Sequence, residues 1–259
     1  MIRRRLYTEV RITWLATLAR RLAIFALPVI ALSIGLHRLG LVEYEVAYVT
    51  LTAGIAVAAL AALVAIAAFV VIWNEGLRGL GRAIAAFLIG IAVLAWPMFE
   101  VVRSSTLPAI ADVTTDPSDP PRFIAVASAR PSGANPVAYA GEETAVRQRV
   151  AYPGVQPLEL DANPDEAFNI ALAIVEKNGW RVLDSVTPRG GQREGRIEAV
   201  ALTVIMGFRE DVSIRIRSSG GMMKIDMRSA SRYGDHDFGN NARRIENFFA
   251  DFVATLRQR

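Results

Sequence analysis

The stretch VAYVTLTAGIAVAALAALVAIAAFVVIW, residues 46–73, decides the architecture of this chain. It contains no Asp, Glu, Lys or Arg. A run of about 20 apolar residues is enough for a helix to cross the hydrocarbon core of a bilayer. A soluble core helix of this length without a single charge would be unusual. We therefore predict a transmembrane helix over about 46–73, tilted or extending into the interface.

A second apolar run, 83–99, follows this stretch and ends at Glu100. At about 17 residues it is short for a span but adequate, so we predict another transmembrane helix over about 83–102. Neither run carries a charge in its middle. A charge at mid-membrane usually marks a transport path, so the sequence disfavours a transporter or a channel.

The first apolar run, from Leu22 to about Leu36, is open to three interpretations. It contains Pro28, and it is compatible with a span, an interfacial helix or the apolar region of a cleaved signal peptide. A cleavable signal usually has a short basic segment before its apolar region, whereas this run begins about 21 residues into the chain. We favour a retained span over about 22–39, which brings the number of transmembrane helices to three.

Small residues recur at four-residue spacing within the two longer runs. They are Gly54, Ala58, Ala62, Ala86 and Gly90. Such a face lets two helix backbones approach closely, although Ala-rich helices also produce this spacing by chance.

Arginine is unevenly distributed between the segments that flank these runs. Arg78 and Arg82 lie between the second and third runs, while the first loop carries Arg38 together with two glutamates. Six more precede the first run: Arg3, Arg4, Arg5, Arg11, Arg20 and Arg21. Cytoplasmic segments are enriched in Lys and Arg. We therefore predict a bacterial inner-membrane protein with a cytoplasmic N-terminus (1–21), three spans (within 22–102) and a periplasmic C-terminal domain.

Composition excludes several classes of function. The chain has 259 residues, a net charge of +4 and no cysteine. The lack of cysteine excludes disulfides, thiolate catalysis and Cys-ligated zinc. Basic residues of the C-terminal half are interleaved with acidic ones, unlike the basic patch of a nucleic-acid-binding domain. We expect neither nucleic acid nor a cofactor as a partner.

Residues 103–157 hold eight of the twelve prolines. Proline lacks the amide donor and restricts the residue before it, so we interpret this segment as a mostly extended linker. Asp112, Asp116 and Asp119 lie close together in it. Such carboxylates either bind a hard cation or, as Asp before Pro usually does, form turns and cap local amides. We favour turns and predict no metal site.

Residues 158–259 predict an α+β domain. Asn163 before Pro164 is typical of a helix N-cap, and Gly179 ends that helix. Strands are expected at 180–186 and 196–206. A last amphipathic helix runs from about Gly239 to Leu256, with an apolar stripe of Ile245, Phe248, Phe249, Phe252 and Val253.

The clearest strand signal lies at 211–228. Val212, Ile214 and Ile216 alternate with polar residues, and after Ser-Ser-Gly-Gly (218–221) so do Met223, Ile225 and Met227. This predicts a hairpin with one buried face. A four-residue loop would set Arg215 opposite Lys224, Ser213 opposite Asp226, Asp211 opposite Arg228 and Ile214 opposite Ile225.

The fold class that follows is a helical membrane anchor of three spans plus an α+β domain, with a four-stranded antiparallel sheet covered by helices on one face. The opposite face would carry Arg215, Arg217, Lys224 and Arg228. We expect that face to be either solvated or a binding surface.

The C-terminal half resembles a known bacterial family. The motifs are DMRSASRYG (226–234) and DFGNNARRI (237–245), with RIEA (196–199), FRED (208–211) and DVTTDP (112–117) further upstream. They are similar to the family known as domain of unknown function 1499, and the resemblance covers roughly 107–257. It implies an extracytoplasmic domain that also occurs with N-terminal spans. It carries no assigned activity and therefore no catalytic roles.

The two motifs at 226–234 and 237–245 place many polar residues in one strand-to-helix connection. The candidate ligand-binding residues are Asp226, Arg228, Ser229, Ser231, Arg232, Asp237, Asn240 and Arg243. Their first interpretation is structural, with Asp237 or Asn240 capping the last helix and Arg228 or Arg232 pinning the loop through carboxylates.

Two functional interpretations remain beside the structural one. Arginine forks and a helix N-terminus suit an anion, such as an anionic lipid headgroup or an acidic glycan. Ser229 or Ser231 with His236 and an Asp would suit hydrolysis. We favour a binding or scaffolding domain at the periplasmic membrane surface, with membrane lipids, an anionic lipid or glycan, or another envelope protein as partners. The alternative is an envelope hydrolase that uses the Ser, Asp and His of 229–237.

Overall fold

The computed structural model describes residues 11–188, 194–219 and 222–258. They form two compact units, divided after Val102. The first contains three helices, α1 (Trp14–Arg38), α2 (Tyr44–Glu75) and α3 (Leu80–Ser104). Each is long and apolar enough to cross a membrane, which confirms that all three apolar runs form helices of that length.

Helix α1 begins earlier than predicted. It starts at Trp14 and therefore includes Arg20 and Arg21, which the sequence analysis places before the span. Pro28 lies inside the helix without ending it. Residues 1–10, with Arg3, Arg4 and Arg5, lie outside the described residues.

Small residues form the contacts between the three helices. Large apolar side chains such as Val49, Leu63 and Leu88 point outward and are exposed. A Cβ added to Gly54 would lie 2.7 Å from Ile30 Cγ1, and one added to Gly90 would lie 2.8 Å from Ala62 Cβ. The close-approach interpretation of the small-residue spacing is therefore confirmed, because no larger side chain fits at either glycine.

The segment before α1 pairs with the connection between α2 and α3. The amide of Thr13 donates to the carbonyl of Arg78 (3.0 Å), and the amide of Arg78 donates to the carbonyl of Arg11 (3.1 Å). The Arg82 guanidinium also donates to Thr17 Oγ1 at 2.9 Å. The segment before α1 and the connection between α2 and α3, which carry Arg11, Arg78 and Arg82, thus lie at the same end of the three helices.

The second unit, which begins at Arg103, is an antiparallel sheet with helices. Its elements are β1 (Asp112–Thr114), α4 (Ala125–Ser128), α5 (Glu142–Ala151), β2 (Leu158–Leu160), α6 (Pro164–Lys177), β3 (Arg181–Val186), β4 (Glu194–Leu202), β5 (Arg209–Ser219), β6 (Met222–Ser231) and α7 (Asn240–Leu256). The strand order is β1-β6-β5-β4-β3, and β2 also pairs with β6.

The α+β fold class is confirmed, but the sheet has six strands rather than four. The two additional strands, β1 and β2, have three residues each and lie beside β6. Strands so short carry no readable alternation, and β1 lies in the proline-rich segment that the sequence analysis interprets as a linker. They form because the outer edge of β6 would otherwise expose unpaired backbone groups.

The predicted register of the hairpin is wrong by two residues. Arg215 lies opposite Asp226 rather than Lys224, and Ile214 lies opposite Met227 rather than Ile225. Pairing continues to Ser219 opposite Met222, so two residues connect the strands instead of four. Those two, Gly220 and Gly221, lie outside the described residues. A shift by two leaves every side chain on its predicted face, because strand side chains alternate with a period of two.

Helices α6 and α7 cover one face of the sheet, as predicted. Phe168 and Ile170 of α6 and Phe248 and Phe252 of α7 pack on Ile214 and the other buried apolar residues of the sheet. The Asn163 side chain caps α6 by accepting from the amide of Asp165 at 2.8 Å, so the predicted N-cap is confirmed.

The opposite face is neither solvated nor open, contrary to expectation. Arg215 is 6% exposed and Arg228 is 3% exposed. The segment from Asp112 to about Val137 runs across this face and contacts its charged side chains. The expectation failed because the covering segment is distant in sequence and lacks the periodicity of a packed element.

Candidate functional site

The covered face of the sheet carries a set of buried ion pairs. Arg215 donates to Asp226 Oδ2 from Nε (3.1 Å) and Nη2 (2.9 Å), and to Asp119 Oδ2 from Nη1 (3.0 Å). Its Nη2 also donates to the carbonyl of Asp119 at 2.7 Å. Arg217 reaches the same Asp119 carboxylate at 2.9 Å. The guanidinium of Arg215 is therefore occupied by groups of the chain itself.

Asp116 is the second carboxylate of the covering segment. Its Oδ2 accepts from Lys224 Nζ at 2.8 Å, and its Oδ1 accepts from Ser118 Oγ at 2.7 Å. Burial alone raises the pKa of this carboxyl, but the hydrogen bonds from Lys224, Ser118 and the Asp119 amide outweigh it and lower the pKa to about 2. Asp116 and Asp119 thus act as partners of strand cations, and Asp112 has the same role.

Arg228 pairs with Asp112 through two hydrogen bonds, from Nε (2.9 Å) and Nη2 (2.5 Å). Its Nη2 also donates to the carbonyl of Val137 at 2.9 Å. The guanidinium lies 4.4 Å from the centroid of the Phe123 ring, a cation–π geometry. Arg228 thus pairs with a carboxylate, but it holds the segment that covers the sheet rather than the strand-to-helix connection that the structural interpretation had in view.

Arg232 is also held inside the fold, at 1% exposure. It donates to Asp211 Oδ1 from Nε (2.9 Å) and Nη2 (2.7 Å) and to the carbonyl of Ala129 (3.0 Å). Arg130 approaches the other oxygen of Asp211 at 2.6 Å. One buried carboxylate therefore joins β5, the end of β6 and the covering segment.

Ser229 and Ser231 face the helix side and belong to one polar cluster with α7. Ser229 Oγ donates to Asn241 Oδ1 at 2.7 Å and accepts from Arg244 at 2.9 Å. Ser231 Oγ accepts from Asn241 Nδ2 and donates to Glu210, both at 3.1 Å. Arg244 closes the cluster with an ion pair to Glu210. Both hydroxyls are thus used as structural donors and acceptors.

The loop from 232 to 239 positions the start of α7. Asp237 accepts from the amides of Gly239 (2.8 Å) and Asn241 (2.7 Å), so the predicted capping role of Asp237 is confirmed. Burial raises the pKa of this carboxyl, although both amides lower it. His236 Nδ1 accepts from the amide of Phe238 at 2.9 Å, so this ring nitrogen is engaged within its own loop.

Asn240 and Arg243 lie on the outer side of the first turn of α7. The Arg243 guanidinium donates to Asn240 Oδ1 at 2.6 Å, and Arg243 itself is exposed. The eight predicted site residues therefore do not converge on one cavity. They divide between the charged sheet face, the polar cluster and this helix turn.

A groove of about 720 Å³ lies beside these groups. Small apolar residues dominate its lining. The lining residues are Ala109, Ile110, Ala111, Asp112, Asn135, Pro136, Ala138, Tyr139, Ala140, Thr144, Ala230, Ser231, Gly234 and Asp235. Of the eight predicted site residues, only Ser231 belongs to this set. Its two charged members, Asp112 and Asp235, are both acidic.

Tyr139 contributes a phenol to the groove. Among the described residues, its hydroxyl is buried and has no hydrogen-bond partner. Burial, with a smaller contribution from the nearby Asp112 carboxylate, raises the pKa of Tyr139 to about 12. The phenol therefore stays protonated at neutral pH and offers one donor. Asn135 beside it is fixed by donating to the carbonyls of Ser231 (3.1 Å) and Gly234 (2.6 Å).

Sequence reasoning missed the groove and half of the polar cluster. Glu210, Asn241 and Arg244 complete the cluster. Asn241 and Arg244 are three residues apart at the start of the predicted helix, which places them on one face. This spacing could have indicated from the sequence that the two side chains act together. The groove gave none, since its lining comes from four separate segments of the chain and alanine is its commonest residue.

Residues 112–252 match the family described as "Protein of unknown function (DUF1499)", which is more than half of the chain. A search of curated proteins finds no match.

Proposed function

The chain belongs to the DUF1499 family of proteins of unknown function, and from this premise we propose that it is a membrane-anchored envelope protein whose groove binds a polypeptide segment of another envelope protein. The anchor is the three apolar helices. The groove is the concave surface lined by Ala109–Asp112, the segment 135–140 and the end of β6. The protein would act as a binding or scaffolding module.

We place the anchor in the bacterial inner membrane, with the N-terminus in the cytoplasm and the second unit in the periplasm. The positive-inside rule supports this orientation. Arg11 and Arg78 are joined by a backbone hydrogen bond, and Arg82 donates to Thr17. Both basic segments therefore reach the same side if the three helices cross the membrane in turn.

The contacts of the polar residues support binding rather than hydrolysis. Ser229 is fully buried, and Ser231 is 9% exposed. Both hydroxyls bond to Asn241, and His236 Nδ1 accepts from its own loop. A nucleophile has to be within reach of a base and of the substrate. These contacts favour neither requirement, because the serine hydroxyls are bonded to Asn241 and the His236 ring nitrogen is bonded within its own loop.

The chemistry of the groove supports a polypeptide among the three partner classes that the sequence suggests. Arg228 and Arg232, which would attract an anionic lipid or an acidic glycan, are engaged with Asp112 and Asp211. The charged lining residues are carboxylates, which repel an anion. A lining rich in alanine, with one phenol donor, suits an extended apolar segment that carries a basic residue near Asp235.

Site-specific photocrosslinking in cells tests this function. A photoreactive phenylalanine analogue at Ala138, which is exposed and lines the groove, should form an adduct whose mass spectrum contains a peptide of another envelope protein. The change Ala109→Trp, at another exposed residue of the lining, should fill the groove and abolish the adduct. The change Ala129→Trp, at an exposed alanine outside the lining, should leave it.

Two outcomes would contradict the proposal. One is an adduct at Ala138 that carries a lipid or a glycan instead of a peptide. The other is an adduct that survives Ala109→Trp or appears equally when the analogue replaces Ala129.

A further inference from the structure

The turn between β4 and β5 presents apolar side chains to solvent. Its sequence from 202 to 208 is LTVIMGF. Val204 is 90% exposed, Leu202 54% and Ile205 38%. Adjacent exposed aliphatic side chains on a tight turn are unusual on a water-facing surface, because each leaves apolar area in contact with water.

This turn is held in one conformation by Thr203. The amide of Thr203 donates to the carbonyl of Phe208 (2.9 Å), and its own carbonyl accepts from the amide of Gly207 (3.0 Å). Its Oγ1 also accepts from the amide of Phe208 at 2.9 Å. Met206 is 6% exposed and anchors the turn from below. The aliphatic tip is therefore preorganised rather than loose.

The register of the sheet shows which end of the unit carries the tip. Asp112, the first residue of β1, lies opposite Ala230; Ala230 lies opposite Asp211, and Asp211 opposite Val200. The chain arrives at β1 from α3 at this end of the sheet, and the carbonyl of Ala111 accepts from the amide of Ser231. Strand β4 ends at Leu202, just beyond the same row. The tip and the entry of the chain from α3 thus share one end of the sheet.

Two exposed arginines lie behind the tip. Arg209 is opposite Leu202, and Arg181 is opposite Val200. This order of groups, an aliphatic tip followed by guanidinium groups one or two residues behind it, corresponds to the order of apolar acyl chains and charged headgroups at a bilayer surface. The tip reaches the acyl boundary, while the guanidinium groups lie at the depth of the lipid phosphates.

We propose that the turn Leu202–Phe208 inserts into the interfacial layer of the same bilayer that α1–α3 span, as a second membrane contact of this chain. The occupant of the apolar tip is lipid. Helix α3 ends at Ser104 and β1 begins at Asp112, so seven residues of the chain connect the last membrane helix to the sheet. This inference rests on the membrane anchoring of the proposed function, but neither on the ligand of the groove nor on the side of the membrane.

Fluorescence quenching on the full chain tests the contact. The chain has no cysteine, so Val204→Cys and Met222→Cys each create a single labelling site for a polarity-sensitive fluorophore. Met222 is the matched control, because it is 45% exposed. Met222 begins β6 and pairs with Ser219, the last residue of β5. The turn precedes the first residue of β5, a strand of 11 residues that extends about 35 Å.

Each labelled protein is reconstituted in nanodiscs that contain phosphatidylglycerol, with a nitroxide-bearing lipid or with aqueous iodide as the quencher. The nitroxide lipid should quench the label at position 204 at least about threefold more than the label at 222, because an interfacial group lies within about 5–10 Å of the acyl boundary. Iodide should show the reverse order.

Equal quenching of the two labels by the nitroxide lipid would overturn the proposal. A label at 204 that neither quencher reaches would also overturn it, since protein rather than lipid would then cover the tip. Photocrosslinking at Ala138 tests the groove separately, so the two proposals fail or stand independently.

Discussion

At the scale of single residues, the second unit buries arginine side chains in ion pairs with its own carboxylates. Arg215, Arg228 and Arg232 are buried on one sheet face, and each meets a carboxylate of the chain. Removing one partner of a buried pair leaves an uncompensated charge, which is strongly destabilising. We therefore expect changes at these positions to act on stability before they act on any ligand.

Asp116 gives a pH-dependent prediction. Its folded-state pKa, about 2, is below the ordinary value of 3.8, so its contribution to stability is present above about pH 4 and is lost as pH falls toward 2. The change Asp116→Asn should lower the free energy of unfolding at pH 7 by about 1–2 kcal/mol. The difference from the unchanged protein should shrink between pH 4 and pH 2.

Denaturant unfolding of the full chain in detergent, followed by Trp180 fluorescence, measures this effect. The other three tryptophans are replaced by Phe, and Trp180 reports on the core because its ring stacks on Phe248 at 6.0 Å. Asp251→Asn is the control, since its partner is the exposed Lys177 at 3.5 Å. A loss at Asp116 that is constant from pH 7 to pH 2 would show that the carboxylate charge is not the cause.

At the scale of elements, strand β1 is stabilised by a side chain that takes the place of another strand. Gln148 of α5 is 1% exposed. Its Oε1 accepts from the amide of Thr114 (3.0 Å), and its Nε2 donates to the carbonyl of Thr114 (2.7 Å). One amide side chain thus satisfies both outward backbone groups of Thr114 in an edge strand, which hinders pairing with another chain at this residue.

The change Gln148→Ala should lower the free energy of unfolding by about 2–4 kcal/mol, because two buried backbone groups lose their partners. Chemical denaturation of the full chain in detergent measures it. Gln156→Ala is the matched control, since Gln156 is exposed and donates to Pro153 at 3.4 Å. A loss at Gln148 no larger than that at Gln156 would refute this role for the side chain.

At the scale of the whole molecule, the two units share one chain but differ in how they are stabilised. Alanine and glycine contacts hold the helices of the first unit together, with large apolar side chains facing outward. In the second unit, an apolar core lies on one sheet face and buried ion pairs lie on the other. Outward apolar side chains suit a lipid environment, whereas a two-sided core suits water.

Fusions after Arg259 test the proposed orientation. Alkaline phosphatase at this position should be active and green fluorescent protein should be dark, because the second unit is proposed to lie in the periplasm. Fusions in the connection between α2 and α3, after Arg78, are the control and should give the reverse pair of signals. Fluorescence after Arg259 together with inactive phosphatase would contradict the orientation and redirect the search for a partner to the cytoplasm.

Much of the architecture was readable from sequence because it depends on local patterns. Apolar runs without charged residues predict α1–α3, and the alternation around Val212 and Met223 predicts the faces of the central hairpin. Asn163 before Pro164 predicts the start of α6 for the same reason. Each of these signals lies within a window of a few turns or strand residues.

The candidate site was only partly readable, because its contacts join distant segments. Arg228 and Asp112 are 116 residues apart in sequence, and Asn135 reaches Gly234 across 99 residues. Residue types indicated that Arg228 and Arg232 need anionic partners, but they left open whether those partners are carboxylates of the chain or an anionic ligand. An anionic ligand and an internal aspartate satisfy a guanidinium equally well.

Sequence alone determined the three apolar helices, the helical or strand character of the main elements and the buried face of the central hairpin, since these follow from hydrophobic periodicity and from the length of apolar runs. Only the tertiary structure decided the hairpin register, the recruitment of β1 and β2 to the edge of β6, the burial of the charged sheet face and the groove. These depend on which distant segments cover which surface, and that choice minimises unpaired backbone groups and charges over the whole unit at once.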